Sequence, residues 1–259
     1  MLLGVNIDHI AVLREARLVN DPSPLDALFM AKSSGADQIT IHLREDRRHI
    51  HDEDAKDIIR LSPLPVNLEC SVNEAIIDIV CELKPFRATL VPENRNEVTT
   101  EGGLDVSGQK EAIMRAIKRL KANEIKVSLF TDPDDASMEL SRELGADMVE
   151  LHTGRYANIY GMLYGNLARS RYSVTEFELP RSELERLLDE ELSRLTRASQ
   201  KAHELGLLVA AGHGLNYQNV TAMTTIPHLI ELNIGQSIIA RSVYTGFSEA
   251  VREMKRLLG

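Results

Sequence analysis

Residues 38–50 read QITIHLREDRRHI, a stretch that begins as a strand and ends as a run of charge. Ile39, Ile41 and Leu43 alternate with Thr40, His42 and Arg44, so the two sets face opposite sides of an extended chain. One face is apolar. The other carries a hydroxyl, an imidazole and a guanidinium. The following Glu45-Asp46-Arg47-Arg48-His49 cannot be buried without many partners. The pattern predicts the wall of a polar pocket, with His42 and Arg44 on its inner face. Residues 45–48 read equally well as a solvated loop.

The same alternation recurs on both sides. Strands are expected at residues 2–8, 66–70, 87–91, 126–130, 148–152, 207–211 and 229–234. Asn6 and Asp8 share a face of the first, Asn67 and Glu69 of the third, Glu150 and His152 of the sixth, and Glu231 and Asn233 of the last. Helical patterns separate the strands. Ser23-Pro24 reads as a cap and a first-turn proline, with Leu25, Leu28 and Phe29 as the buried stripe and Gly35 as the stop. Residues 52–61, 73–83 and 183–205 carry helical stripes, and Ile113, Ile117 and Leu120 mark another. Asp132-Pro133 is expected to open a helix that Gly145 ends, residues 218–224 a short one, and Phe247, Val251, Met254 and Leu258 lie on the last. Residues 9–21 read as a polar connection and residues 92–108 as a long loop, a length often functional in compact domains. Residues 153–180 read as irregular and hold Tyr156, Tyr160, Tyr164 and Tyr172, with 158–180 as an insertion after the sixth strand.

Eight βα units in 259 residues predict parallel pairing and right-handed crossovers. An open doubly wound sheet would bury its strands on both faces and make them near-continuously apolar. Polar faces on strand after strand favour instead a closed (β/α)8 barrel, the TIM-barrel architecture, as one domain over residues 1–259.

Composition narrows the function classes. The chain is 43% hydrophobic and 27% charged, as ordinary globular proteins are. A net charge of −9 argues against a nucleic-acid surface while leaving room for a local basic pocket. No apolar run approaches the ~20 residues of a membrane helix. Residues 1–5 are too short for a signal-peptide core. Cys70 and Cys81 have no metal or redox spacing, which predicts a reducing, cytoplasmic setting without a disulfide.

In such a barrel the chemistry lies at the carboxyl ends of the strands. The polar residues expected there are Asn6, Asp8, His42, Arg44, Glu69, Thr99, Glu150, His152, His213 and Asn233. No lysine stands at a strand end, which speaks against a Schiff base supplied by the protein. Glu69 beside a histidine reads as functional, although a structural pair with Arg44 is the plainer alternative. His152 reads equally as a hydrogen-bonded core histidine. His213 lies between Gly212 and Gly214, which let backbone N–H groups approach a ligand. Gly214 after strand seven and Gly235-Gln236 after strand eight sit where many barrels hold phosphate, and residues 236–239 can open a helix onto it. A second phosphate would fall to Arg44, His49 and the Thr99 loop. Two other readings stay open: a metal-dependent barrel hydrolase or aldolase, and a non-catalytic barrel that binds phosphometabolites. The first lacks an HxH ligand pair.

GVNIDHIAVLREAR (4–17), ITIHLREDRRHI (39–50), LVPENRNEVTTEGGLDV (90–106), VELHTGRYA (149–157), AGHGLNYQNV (211–220) and ELNIGQSII (231–239) resemble the pyridoxine 5′-phosphate synthase family of vitamin B6 biosynthesis. The resemblance spans nearly the whole chain. It implies a (β/α)8 enzyme that condenses 3-amino-2-oxopropyl phosphate with 1-deoxy-D-xylulose 5-phosphate, releasing pyridoxine 5′-phosphate, phosphate and water. It implies no metal and no organic cofactor, and a homo-octamer built from dimers. By resemblance His42 and Glu69 are bases, His213 is an acid and Glu150 stabilises charge on an intermediate. Asn6, Arg17, Gly214, Gly235 and Gln236 would hold the amino-oxopropyl phosphate. Asp8, His9, Arg44, His49 and Thr99 would hold the deoxyxylulose phosphate. The chain departs from the family pattern at Gln236, where a histidine is common, and in the length of 158–180.

Overall fold

Ile39 and Ile41 are fully buried on the outside of a strand, under helices, while Thr40 and His42 point inward. Repeated around the molecule, that division closes a barrel. The computed structural model describes residues 1–93 and 102–259, so Thr99 lies outside the described residues. The strands are β1 (Leu2–Asn6), β2 (Gln38–His42), β3 (Val66–Cys70), β4 (Arg87–Leu90), β5 (Lys126–Thr131), β6 (Met148–His152), β7 (Leu208–Gly212) and β8 (Leu229–Ile234). They are parallel and pair in chain order, and β8 returns to β1 through Leu3↔Leu232 and Val5↔Ile234. The helices are α1 (Asp8–Glu15), α2 (Asp26–Ser33), α3 (Asp52–Leu61), α4 (Glu74–Leu83), α5 (Lys110–Ala122), α6 (Asp135–Glu143), α7 (Gly154–Tyr164), α8 (Arg181–Glu204), α9 (Gln236–Thr245) and α10 (Phe247–Leu257). Outward side chains such as Leu3, Val5, Leu68, Leu129, Leu151 and Leu232 are fully buried in the apolar layer between strands and helices. Each contributes roughly 1.5–3 kcal/mol by leaving water.

The inside of the barrel is polar down to its base. Barrels of this kind usually fill that space with branched apolar side chains from alternate strands. Here β2, β4, β6 and β8 place Gln38, Arg87, Met148 and Glu231 at the amino end, all buried and in mutual contact. One turn of register higher, Asn233 accepts from Thr40 Oγ1 (3.1 Å) and donates to Glu150 Oε2 (2.8 Å). Asn67 Oδ1 accepts from Arg87 Nε (3.1 Å) and Thr89 Oγ1 (2.7 Å). The polar strand faces therefore belong to a connected lattice as well as to the mouth.

Several local expectations are corrected. The polar connection begins with α1, whose Arg14 is buried because its guanidinium pairs with Asp54 and donates to the His49 carbonyl (2.8 Å). Ser23 does not cap α2; Ser23 and Pro24 form a preceding turn, and Ala27, Leu28 and Ala31 are the buried stripe, leaving Phe29 exposed. Asp134, not Asp132, caps α6, its side chain accepting from the Ser137 N–H (2.9 Å). Residues 153–180 are not wholly irregular, since Tyr156, Ile159 and Met162 bury one face of α7. The short helix is a 3-10 segment, Val220–Thr225. The helix opening at residues 236–239 and the last helix are present as expected, as α9 and α10, parted at Gly246 with φ +78°.

Candidate active site

The carboxyl ends of the strands surround a cavity of about 330 Å³. Asn6 and His9 from β1 and its exit, Glu69 from β3, Glu150 from β6, and His213 after β7 line it. Gly214, Gly235 and Gln236 form another part of its wall, with Phe130 as an apolar side. These eight expected residues are brought together. Asp8, His42 and His49 form an adjoining cluster. Asp8 accepts from Asn6 Nδ2 (2.9 Å) and from the His42 backbone N–H (2.9 Å), and the His42 and His49 rings lie 6.1 Å apart. Arg17 is exposed on the turn beyond α1 and does not line the cavity.

The charge run divides between the two readings the sequence left open. Arg44 and His49 are buried. Asp46, Arg47 and Arg48 pair locally, Asp46 with Arg48 and Arg47 with Asp52. Arg48 beside Asp46 holds that carboxyl well below the usual range. His49 Nδ1 accepts the Ile50 N–H (2.8 Å), so the neutral ring carries its proton on Nε2.

The Gly212-His213-Gly214 turn is built to aim an imidazole. His213 adopts φ +83°, a left-handed conformation rare for a residue with a side chain. Thr153 Oγ1 braces it, within hydrogen-bonding distance of the Gly212 and His213 carbonyls (2.7 and 2.6 Å). A Cβ at Gly212 would meet Glu150 Oε1, so any side chain there would push that carboxylate aside. The next loop ends in Gly235, whose carbonyl accepts from the Ile238 N–H as α9 starts. The first amides of α9 thus have no partner in their own helix, an arrangement suited to an anion.

Burial governs the electrostatics. It pushes the Glu69 carboxyl well above its ordinary range, with Glu150 and Asp8 acting the same way and Arg87 opposing. Burial and then Glu231 push Glu150 up to about 7, against Arg87 and the Asn233 N–H. Burial, His152 and His9 push His213 down to about 4. Burial likewise lowers His9 and His49. Burial therefore favours the protonated carboxyls and the neutral imidazoles in the cavity. His9 Nδ1 and His152 Nε2 are buried with no hydrogen-bond partner among the described residues. Such atoms are costly unless something satisfies them. Also among the described residues, no three His, Cys, Asp or Glu side chains are grouped as a metal ion would require. The arrangement suits a series of proton transfers on an anionic substrate.

The family model described as pyridoxal phosphate biosynthesis protein PdxJ matches residues 3–259. The chain belongs to the PdxJ family. Proteins named pyridoxine 5′-phosphate synthase are 66% identical in Aliarcobacter butzleri, covering 100% of this chain and 99% of that one, and 62% identical in Sulfurovum sp., covering both completely. More distant structures share the barrel alone. KGPDC from Streptococcus mutans aligns with TM-score 0.63 at 14% identity, covering 99% of this chain and 96% of its own. N-(5′-phosphoribosyl)anthranilate isomerase from Pyrococcus furiosus aligns with TM-score 0.58 at 16% identity, over 100% and 98%.

This PdxJ-family site contains residues that the sequence reading passed over. Glu93, two residues past Val91, accepts from the Glu45 backbone N–H (3.0 Å) and stands 2.9 Å from His42 Nε2. Burial pushes Glu93 up, but its bonds to His42 and Glu45 and the charges of His42 and Arg44 bring it below its usual value. Arg87 and Gln38 were equally hidden, being polar residues at the amino ends of strands. A glutamate closely following the fourth strand was the one available signal for Glu93.

Proposed function

We propose that this chain is a pyridoxine 5′-phosphate synthase, joining 3-amino-2-oxopropyl phosphate to 1-deoxy-D-xylulose 5-phosphate with release of pyridoxine 5′-phosphate, phosphate and water. One observation carries the reading: proteins of that name match the chain end to end, and its cavity sets acid–base groups beside the amino terminus of α9. In this reading Asn6, Gly214, Gly235 and Gln236 hold the amino-oxopropyl phosphate. Asp8, His9, Arg44 and His49 hold the sugar phosphate, with Thr99 contributing from outside the described residues. The amine substrate brings its own nitrogen, so no protein lysine is needed. Imine formation, elimination, ring closure and aromatisation are then proton transfers by fixed groups.

His42 and Glu69 act as bases, His213 as an acid, and Glu150 stabilises a cationic intermediate. The unliganded protonation states of Glu69 and His213 are the reverse of these roles. Substrate binding inverts them. A phosphate beside Gly214 favours an imidazolium at His213, and an ammonium or iminium facing Glu69 favours its carboxylate. The cavity is thereby armed by its own substrates.

Self-association as a homo-octamer built from dimers and a cytoplasmic setting belong to the same reading. Exposed Leu18, Phe29, Val243 and Tyr244 supply apolar surface for a subunit contact. Among the described residues no helix is long and apolar enough to cross a membrane. The decisive experiment mixes chelator-treated protein with each substrate alone and with both, following phosphate release and pyridine absorbance. Phosphate and a pyridine ring only with both substrates are expected. Phosphate from one substrate alone, or turnover lost on chelation, would overturn the reading.

A further inference from the structure

Arg87 enters the barrel from the amino end of β4, on the far side of the polar lattice from the cavity. It is a donor only, so its position dictates the direction of the hydrogen bonds that follow. Arg87 Nη2 donates to Gln38 Oε1 (2.9 Å) and to Glu231. That fixes the Gln38 amide, whose Nε2 donates to Glu231 Oε1 (3.1 Å) and Asn233 Oδ1 (3.3 Å). Thr40 Oγ1 donates to the same Asn233 oxygen (3.1 Å). With its oxygen held by two donors, Asn233 turns its Nδ2 toward two carboxylates, Glu231 Oε1 (3.3 Å) and Glu150 Oε2 (2.8 Å). A flipped Asn233 would set its oxygen against both.

We propose that Arg87 is a positioning residue for Glu150, orienting the chain Arg87–Gln38–Asn233–Glu150 and supplying the buried positive charge that lets Glu150 ionise beneath the substrate. The proposal rests on the role given to Glu150 above. The other charged or titratable groups around Glu150 are Glu69 on β3, His152 on β6, His213 after β7, Glu231 on β8, and Asp8 and His9 after β1. Arg87 is the one cation among the described residues that these interior carboxylates share in the lattice, and Glu231 is the carboxylate it pairs with. The two therefore act on Glu150 with opposite signs: Arg87 favours its ionised form and Glu231 disfavours it.

The test reads the Glu150 carboxyl by ¹³C NMR in the ligand-free protein, assigned by its loss in Glu150→Gln. Glu231→Gln is expected to lower the Glu150 titration midpoint and Arg87→Met to raise it, each by about one pH unit. Arg87→Lys keeps the charge and should hold the midpoint near wild type. Where Arg87→Met folds poorly because Glu231 is left unpaired, Arg87→Met with Glu231→Gln removes both charges and should fall between the single variants. In turnover, the acidic limb of the kcat profile should move with the midpoint while KM changes less than twofold. A folded Glu231→Gln with an unmoved midpoint, or a double variant with a midpoint no higher than that of Glu231→Gln, would overturn the proposal. So would shifts of one sign in both single variants. The NMR titration needs no substrate, so silence in the synthase assay with the two opposite shifts intact would strike only the catalytic reading of Glu150.

Discussion

At the scale of single residues, the proposed base His42 is held by a carboxylate from the next loop but one. An imidazole that accepts protons works best when its other contacts fix the ring, and Glu93 stands 2.9 Å from His42 Nε2. Glu93→Gln keeps the shape and removes the charge. It is expected to lower kcat roughly 10- to 100-fold with little change in KM, measured by steady-state kinetics in both substrates. Unchanged kcat would make the contact structural. His213→Asn should retain binding of both substrates while losing most turnover, and calorimetric titration beside a rate assay separates the two. The catalytic candidates at strand ends were legible because strand alternation or flanking glycines announced them. Glu93 was not, because a loop residue has no periodicity to place it and its partner, His42, lies 51 residues away.

At the scale of elements, α1 and α3 are clamped together behind the site. Arg14 on α1 reaches both oxygens of Asp54 on α3 (2.8 and 2.7 Å) and the carbonyl of His49 between them. Arg14→Ala leaves a largely buried carboxylate without its partner and should cost on the order of 3 kcal/mol in urea unfolding. It should also weaken binding of the sugar phosphate through His49. At α9, Gly235→Ala places a methyl group 2.9 Å from Asn6 Cβ. The loop must shift, and KM for the amino-oxopropyl phosphate is expected to rise about tenfold or more with a smaller change in kcat. Elements with clean periodicity, such as β3, β6 and α3, were legible to the residue. α1 was not, because its buried face includes an arginine that only a distant aspartate makes tolerable. α7 was not, because tyrosine and glycine are middling or poor helix formers and its helicity comes from packing Tyr156 and Ile159 into the core.

At the scale of the whole molecule, opposed groups balance stability against pH. Unfolded, His213 takes a proton near pH 6.5, but the folded protein refuses it until about 4, so its contribution is full above 6.5 and is lost as pH falls toward 4. Glu150 runs the other way. The folded protein holds its proton up to about 7 and the unfolded chain only to 4.5, so its contribution is full below 4.5 and is lost as pH rises toward 7. Relative to wild type, Glu150→Gln should therefore lose stability more steeply on acidification from pH 6.5 to 4, and His213→Asn more steeply on alkalinisation from 4.5 to 7. Denaturant melts across that range check both slopes, and parallel profiles would discard the linkage. The barrel itself was legible from the count of alternating units, whereas its polar interior was not, since alternation tells which side chains point inward but not which of them meet. The left-handed backbone at His213 carries a last consequence for sequence space. A saturation library at position 213, sorted for folded protein alone, should enrich Gly, Asn and Asp over Val, Ile and Thr, because the turn taxes branched side chains whatever the chemistry. Sorted for turnover, the same library should return histidine, and the gap between the two rankings separates what the loop demands from what the reaction does.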